Sequence, residues 1–216
     1  RLLRGFFFLP PLPRFFCKSC PARRSNISAM AQTSEELDLA AQFRRGDDSA
    51  FDRIVERHSA EVAALANRLL GWPGDVDDVV QEVFLSAFLG LRKFRGDCRL
   101  RTWLFTITVN KCRSLRFRRR RSLLRAVVDA SPATVQLGPG GDEAAMDKET
   151  FARVRQAVQA LPQKYREVTV LRYLQGLKTQ EICEMLGVTN NTIEVRLNRA
   201  RARLKEQLGD LFEEKR

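Results

Sequence analysis

Residues 179–196, TQEICEMLGVTNNTIEVR, contain the strongest structural signal in this sequence. Two segments of helical periodicity flank a tight turn at Gly187. Their apolar residues are spaced to pack together: Ile182, Leu186, Val188, Ile193 and Leu197. Thr189 can cap the second helix through its hydroxyl group. This pattern predicts a helix-turn-helix whose second helix exposes its first turns.

The second of these helices carries a high density of cations: Arg196, Arg199, Arg201, Arg203 and Lys205. Such a set suits the phosphates that flank the major groove of duplex DNA. A solvated amphipathic helix is the alternative interpretation. Four arginines within eight residues, directly after a glycine turn, favour DNA binding.

The rest of the chain is also helical in pattern. No stretch shows sustained strand-type alternation, although residues 106–109 are β-branched enough to be ambiguous. Asp48 is the expected N-cap of the second helix, and Pro162 occupies a favourable first-turn position. We predict helices over residues 35–45, 48–70, 76–91, 101–120, 143–160, 162–175, 179–186 and 190–208.

Composition changes near the middle of the chain, where ASPA at residues 130–133 and GPGG at residues 138–141 interrupt the apolar periodicity. We interpret this segment as a flexible linker. The expected fold class is therefore all-α, with two small helical domains. The expected division is a disordered leader at 1–34, a first domain at 35–127, the linker at 128–142, a second domain at 143–208 and a tail at 209–216.

The charge balance indicates a polyanionic partner. Among 216 residues, 38 Lys and Arg stand against 26 Asp and Glu, a net charge of +12, which suits nucleic acid or an anionic membrane surface. Residues 1–29 hold six of the cations and no acid. Their apolar run at 6–9 is far shorter than a membrane span, and we expect flexible sequence upstream of a natural start at Met30. A cleaved targeting segment is the alternative.

Cysteine and histidine content bears on metals and on compartment. The five cysteines are Cys17, Cys20, Cys98, Cys112 and Cys183, and His58 is the single histidine. The spacing of Cys17 and Cys20 suits a metal, but no second ligand pair lies nearby, so we expect no zinc site and no cofactor. The odd count and the scatter suit reduced thiols in the cytoplasm.

The third predicted helix begins with an acidic, hydrogen-bonding group: Asp75, Asp77, Asp78, Gln81 and Glu82. Aspartate at a helix N-terminus complements the helix dipole, which alone would explain Asp75 and Asp77. Asp78 and Glu82 lie one turn apart, and with Gln81 they can form a protein-docking face.

The fourth predicted helix has the opposite character. Trp103 and Phe105 accompany cations at its start, and more cations follow: Arg99, Arg101, Lys111, Arg113, Arg116, Arg118, Arg119, Arg120 and Arg121. Aromatic residues interleaved with cations suit single-stranded DNA, because bases stack on the rings and cations hold the backbone. The alternative is that both rings belong to the core.

Together these motifs resemble those of extracytoplasmic-function (ECF) sigma factors of bacterial RNA polymerase, over about residues 37–208. DVDDVVQEVFL at residues 75–85 resembles the polymerase-binding motif of region two. The promoter-melting segment of region two is similar to FRG at 94–96, RTWL at 101–104 and Asn110. Region four is similar to Leu161, Pro162, Arg166, Glu167 and the helix-turn-helix. The resemblance implies a protein that binds core RNA polymerase and directs promoter-specific initiation.

The resemblance also implies a role for individual residues. Polymerase docking falls to Asp77, Asp78, Gln81, Glu82 and Phe84. Capture of an unstacked base of the melted minus-ten element falls to the loop at 93–101 and the start of the fourth helix. The DNA-binding residues of this domain are Lys93, Arg95, Arg99, Arg101, Trp103, Asn110, Arg113 and Arg116. Recognition of the minus-thirty-five duplex falls to Thr192, Glu194, Arg196, Asn198, Arg199 and Arg203, with Arg196 on phosphate. The further implications are promoter DNA and a separate anti-sigma factor as partners, no enzymatic activity, no membrane insertion and a cytoplasmic location.

Three positions depart from the family pattern. Residues 98–100 stand where small polar residues are usual, Lys178 where a Ser or Thr normally caps a helix, and Glu194 where a basic residue is common. A carboxylate facing the groove would accept a hydrogen bond from cytosine N4 and repel phosphate. These departures concern the promoter sequence rather than the family.

Two other classes of protein compete with this interpretation. A conventional helix-turn-helix regulator that binds duplex DNA without polymerase accounts for residues 161–208, but it leaves the acidic third helix and the aromatic-basic fourth helix unexplained. An enzyme is a more distant alternative. His58 lies on the apolar face of a predicted helix, where a packed histidine is expected, and neither a nucleophile–base pair nor a phosphate-binding glycine loop occurs.

Overall fold

The computed structural model describes the backbone of residues 34–96, 98–129 and 145–213. Its helices are α1 (Ser34–Arg44), α2 (Ser49–Leu70), α3 (Val76–Leu91), α4 (Leu100–Asp129), α5 (Ala145–Ala160), α6 (Gln163–Thr169), α7 (Thr179–Leu186) and α8 (Asn190–Glu213). These residues contain no strand, so the ambiguous segment 106–109 is helical. The predicted leader up to residue 33, with Cys17, Cys20 and Met30, and the predicted linker from residue 130 lie outside the described residues.

Helix boundaries follow the sequence closely at α3 and α7, whereas α4 continues nine residues beyond its predicted end. The start of α2 is stabilised differently from the prediction. Asp48 occupies the N-cap position, but its side chain makes no capping hydrogen bond. Instead, Oδ1 of Asp47 accepts hydrogen bonds from the backbone N–H of Ser49 at 3.1 Å and from its hydroxyl at 2.6 Å.

Helices α1 to α4 pack around a shared apolar core, to which α2 contributes one face: Ala50, Phe51, Ile54, His58, Val62, Leu65, Ala66, Leu69 and Leu70. Four phenylalanine rings join three of the helices. Phe88 of α3 lies edge-on to Phe43 of α1 and to Phe51 of α2, with ring centroids 5.1 Å apart in each pair. Such edge-to-face pairs are favourable beyond the area they bury. They hold α3 against α1 and α2, while Phe88 itself remains 37% exposed.

Helices α5 to α8 form the second group. Directly after α6 the chain makes a single π-helical turn, Val170–Leu174, in which the backbone N–H of Gln175 donates to the carbonyl of Val170. Gly176, at φ 67°, then ends the helix. The predicted helix-turn-helix follows as α7, the turn and α8, with Ile182 and Ile193 fully buried between the two helices.

The two groups contact each other, and buried side chains of both belong to one continuous core cluster. The contact is polar at the end of α2, where the last carbonyls of a helix have no partner within it. Gln159 of α5 donates to the carbonyl of Arg68 at 2.6 Å. Arg116 of α4 donates to the carbonyls of Leu69 and Leu70. Side chains from both groups therefore cap α2.

None of the helices in the described part of the chain is both long and apolar enough to cross a membrane.

Candidate protein and nucleic-acid interfaces

The outer face of α3 begins with exposed polar groups. Val76, Val79 and Val83 are buried, and this spacing turns Asp77, Asp78 and Gln81 outward into solvent. Glu82, at the edge of the face, is occupied by cations of α4. Its carboxylate lies 3.3 Å from Nζ of Lys111 and 3.6 Å from Nη2 of Arg118.

Phe84, which was assigned to polymerase docking, is not on this face. It is buried and packs against Phe51 with a ring-centroid distance of 6.4 Å. The exposed apolar side chains of α3 are instead Leu85 (60% exposed), Phe88 and Leu89. They continue the line of Gln81 along the helix, at spacings of four, seven and eight residues. These exposed positions could have been found from the sequence, because the apolar residues of α3 cover a wider arc of the helix surface than packing against its neighbours buries.

The first turns of α4 separate core residues from surface residues. Phe105 is buried, as the alternative interpretation held. Trp103 is half-buried and packs against Phe94 at 5.2 Å between ring centroids. The Arg101 guanidinium lies 4.6 Å from the centre of the Phe105 ring, and its Nε donates to both carboxylate oxygens of Glu61, at 3.0 and 3.2 Å. Arg101 is thus held in a defined position at the edge of this surface.

The loop before α4 also carries exposed cations, namely Lys93, Arg95 and Arg99, while Asn110 lies farther along α4 and is half-buried. The loop and the start of α4 therefore present cations and an aromatic edge on one part of the molecule. The assignment of these residues to an unstacked base remains a prediction.

The cations in the middle of α4 contact protein groups. Nε of Arg113 donates to Oε1 of Glu167 at 2.8 Å, a second hydrogen bond runs in parallel, and this pairing raises the pKa of Arg113. Arg116 caps α2, and burial lowers its pKa. Arg119 lies 3.2 Å from Asp75 and stacks on Trp72. Arg113 and Arg116, two of the five arginines assigned to DNA in the first domain, are thus occupied by protein groups in this arrangement.

Cys112 and His58 are both buried, each in a different setting. Burial raises the pKa of Cys112 to about 12, which keeps the thiol protonated. His58 lies 3.6 Å from Glu36 and 3.7 Å from Glu61, yet burial outweighs both carboxylates and lowers its pKa. His58 is therefore a packed, neutral histidine, as its sequence position predicted.

The helix-turn-helix places α8 with one face against α6 and α7. Gly187 adopts the left-handed conformation at φ 66°, and the hydroxyl of Thr189 accepts a hydrogen bond from the backbone N–H of Thr192 at 3.3 Å, which is the predicted cap. At the start of α7, Glu181 accepts a hydrogen bond from the backbone N–H of Lys178 at 2.9 Å. This is one half of a capping box, while the acceptor for the N3 backbone N–H that a Ser or Thr at position 178 would supply is not one that a lysine ammonium can provide.

The outward face of α8 carries most of the residues assigned to duplex DNA. Glu194, Asn198, Arg199 and Arg203 are exposed, whereas Thr192 and Arg196 are half-buried. A hydrogen bond from Arg199 lowers the pKa of Tyr165, and the Arg203 guanidinium lies 5.3 Å from the centre of the same ring. Tyr165 thus orients both arginines along one side of the helix. Sequence reasoning missed Val195, which is also exposed on this face.

Comparisons with known proteins agree with this geometry. Residues 54–122 match the family described as Sigma-70 region 2, and residues 151–204 match Sigma-70, region 4. The chain is 37% identical over 177 residues to the RNA polymerase sigma factor CnrH of Cupriavidus metallidurans, covering 79% of this chain and 92% of that protein. It is 30% identical over 191 residues to the ECF RNA polymerase sigma-E factor of Escherichia coli K12, covering 85% and 99%. The solved structure of CnrH in complex with the cytosolic domain of CnrY aligns with a TM-score of 0.59 at 33% identity, covering 82% of this chain and 98% of that chain.

Proposed function

Because this chain belongs to the ECF family of RNA polymerase sigma factors, we propose that it binds core RNA polymerase and directs initiation at a particular set of promoters. One observation carries the proposal. The same chain presents an acidic and apolar face on α3 and a helix-turn-helix with an exposed second helix. A regulator that acts through duplex DNA alone requires the second surface but not the first.

The α3 face is the proposed polymerase contact. Exposed Asp78 and Gln81 supply charge and hydrogen bonds, and Leu85, Phe88 and Leu89 supply apolar area beside them. Interfaces commonly combine a small apolar centre with a polar rim. A basic coiled coil with apolar residues between its cations would satisfy both parts.

The proposed DNA contacts fall into two sets. The loop at 93–99 and the start of α4 would hold the melted minus-ten strand, with Trp103 available for stacking. The outward face of α8 would enter the major groove of the minus-thirty-five duplex. We assign binding of the minus-ten strand to residues 35–127 and binding of the minus-thirty-five duplex to residues 143–208. Residues 128–142 connect the two domains.

The mechanism needs no catalytic group in this chain, because the polymerase performs the chemistry of RNA synthesis. We therefore propose that the protein is not an enzyme and that it acts in the cytoplasm on polymerase and promoter DNA. A separate anti-sigma factor is the proposed restraint. The solved relative CnrH, which is held in complex with the cytosolic domain of a second protein, supports this part.

Run-off transcription with purified core polymerase on a selected promoter library tests the proposal. We expect promoter-dependent transcripts, and we expect the double variant Asp78→Ala and Gln81→Ala to lose them by losing affinity for core polymerase. Glu56→Ala is the matched control, because it removes an exposed side chain from α2. Tight binding to duplex DNA without any polymerase-dependent transcript would favour the conventional regulator instead.

A further inference from the structure

One exposed surface of α8 combines three side chains of different chemistry. Ile193 and Leu197 anchor the helix in the core. Glu194, Val195 and Asn198 lie on the opposite side, within about one turn of each other. If α8 enters the major groove as the proposed function requires, these three side chains face neighbouring bases.

Val195 is the unexpected member of this set. It is an apolar, β-branched side chain that is 39% exposed, between a carboxylate at Glu194 and an amide at Asn198. Apolar side chains gain free energy when they leave water. In the major groove, the 5-methyl group of thymine is the feature of the standard bases that offers an apolar contact.

Asn198 has only part of its hydrogen-bonding capacity available. Its Oδ1 accepts a hydrogen bond from Nη2 of Arg201 at 2.6 Å. The amide N–H groups remain to donate outward. An asparagine with both atoms available pairs bidentately with N6 and N7 of adenine, whereas one that mainly donates loses this advantage and serves equally the O4 of thymine or an N7 or O6 acceptor.

We propose that Val195 contacts the 5-methyl group of a thymine in the minus-thirty-five element, and that Arg201, by engaging the Oδ1 of Asn198, leaves the amide N–H groups to donate to an adjacent base acceptor. This inference rests on the proposed function, since it specifies the bases that the same helix contacts. Glu194 contributes the complementary chemistry, because its carboxylate accepts from an exocyclic amine of cytosine or adenine. The preferred element therefore contains a thymine flanked by one amine-bearing base and one acceptor-bearing base.

Substitution of uracil for thymine tests the contact with a single methyl group. Holoenzyme formed from core polymerase and the full chain is titrated against a selected promoter in which each thymine of the upstream element is replaced by uracil in turn. We expect one position at which uracil weakens binding about fourfold, the effect of one buried methyl group. Val195→Ala should weaken binding to the thymine promoter by a similar factor and show no difference between thymine and uracil there.

Three further variants separate these contacts from a general loss of affinity. Val195→Ile should retain the discrimination between thymine and uracil. Arg203→Ala should weaken binding to both promoters equally while keeping their ratio. Arg201→Ala should free the oxygen of Asn198 for bidentate pairing, so that the preference for adenine at the adjacent position rises, a change that loss of a structural contact would not produce.

The inference is overturned if the selected element contains no uracil-sensitive thymine, or if the uracil penalty persists in Val195→Ala. It is also overturned if Val195→Ala weakens every promoter equally, since the side chain would then contact protein or phosphate. Failure of the proposed function looks different. In that case the wild-type holoenzyme selects no promoter from the library at all.

Discussion

Gly71 provides a sharp test of how the two helical groups meet. It ends α2 at φ 83°, in the left-handed conformation that side chains disfavour by about 1–2 kcal/mol. A Cβ added there would lie 2.8 Å from Cγ of Gln159 and closer still to its amide group, so Gln159 would have to move. Its hydrogen bonds to the carbonyl of Arg68 and from Arg166 would then be lost. One neutral and one charge-assisted hydrogen bond are together worth about 2–4 kcal/mol.

We therefore expect Gly71→Ala to lower the free energy of unfolding by roughly 3–6 kcal/mol, the sum of the two costs. Gly46→Ala is the matched control, because Gly46 also has a positive φ, of 101°, but an added Cβ would have no atom within 4 Å. It should cost only the conformational share of about 1–2 kcal/mol. Urea unfolding followed by tryptophan fluorescence measures both variants, since Trp72 and Trp103 lie in the first group.

A double-mutant cycle isolates the contact. In a Gln159→Ala background the obstructing side chain is gone, so Gly71→Ala should cost no more than Gly46→Ala does. Equal costs for the two glycine variants in the wild-type background would refute the reasoning. So would an unchanged cost of Gly71→Ala after Gln159 is removed, because the close approach would then be absent in solution.

Three further predictions concern the interfaces and the buried histidine. Asp78→Ala combined with Gln81→Ala should weaken core polymerase binding at least tenfold with unchanged helical content, as measured by a binding titration and circular dichroism, because charge-assisted contacts are worth about 1.5–3 kcal/mol each. Arg196→Ala should weaken binding to all promoters about equally and reduce the salt dependence of the binding constant by about one phosphate contact. Glu194→Ala should instead relax the base preference at one base pair. An equal loss of affinity for every promoter in Glu194→Ala would count against that role. His58 has a lowered pKa in the folded state, so the unfolded chain takes up its proton first as pH falls; stability should decline below about pH 6.5, and His58→Gln should show less of this decline in pH-dependent unfolding.

Most helices of this chain could be predicted because each needs one apolar face toward its neighbours. The periodicity of Ile54, His58, Val62 and Leu65 is therefore visible without a structure. The helix-turn-helix was equally accessible, since a left-handed turn at Gly187 leaves few alternatives. Boundaries that depend on a single side chain were less accessible. Whether Asp47 or Asp48 caps α2 depends on a local rotamer that residue type does not specify.

Partners of charged residues were the part that the sequence could not specify. Arg113 and Arg116 have the same composition signal as exposed DNA-binding arginines, yet Glu167 and the end of α2 occupy them. A guanidinium binds carboxylates, carbonyls and phosphates with similar geometry, so residue type alone does not choose among them. The same limit applied to Phe84 and Phe88, which both pack against Phe51 although Phe84 is buried and Phe88 is 37% exposed.

The π-helical turn at Val170–Leu174 has a consequence for insertions and deletions in this family of sequences. Such a turn holds one residue more than the α-helix it interrupts. Loss of one residue there would convert it to ordinary α-helix, and the chain could still enter the following turn in the same orientation. Loss of one residue within α8 would instead rotate every later side chain by about 100° and exchange buried Leu197 for its exposed neighbour. Length variation among relatives should therefore accumulate at the π turn and be excluded from α8.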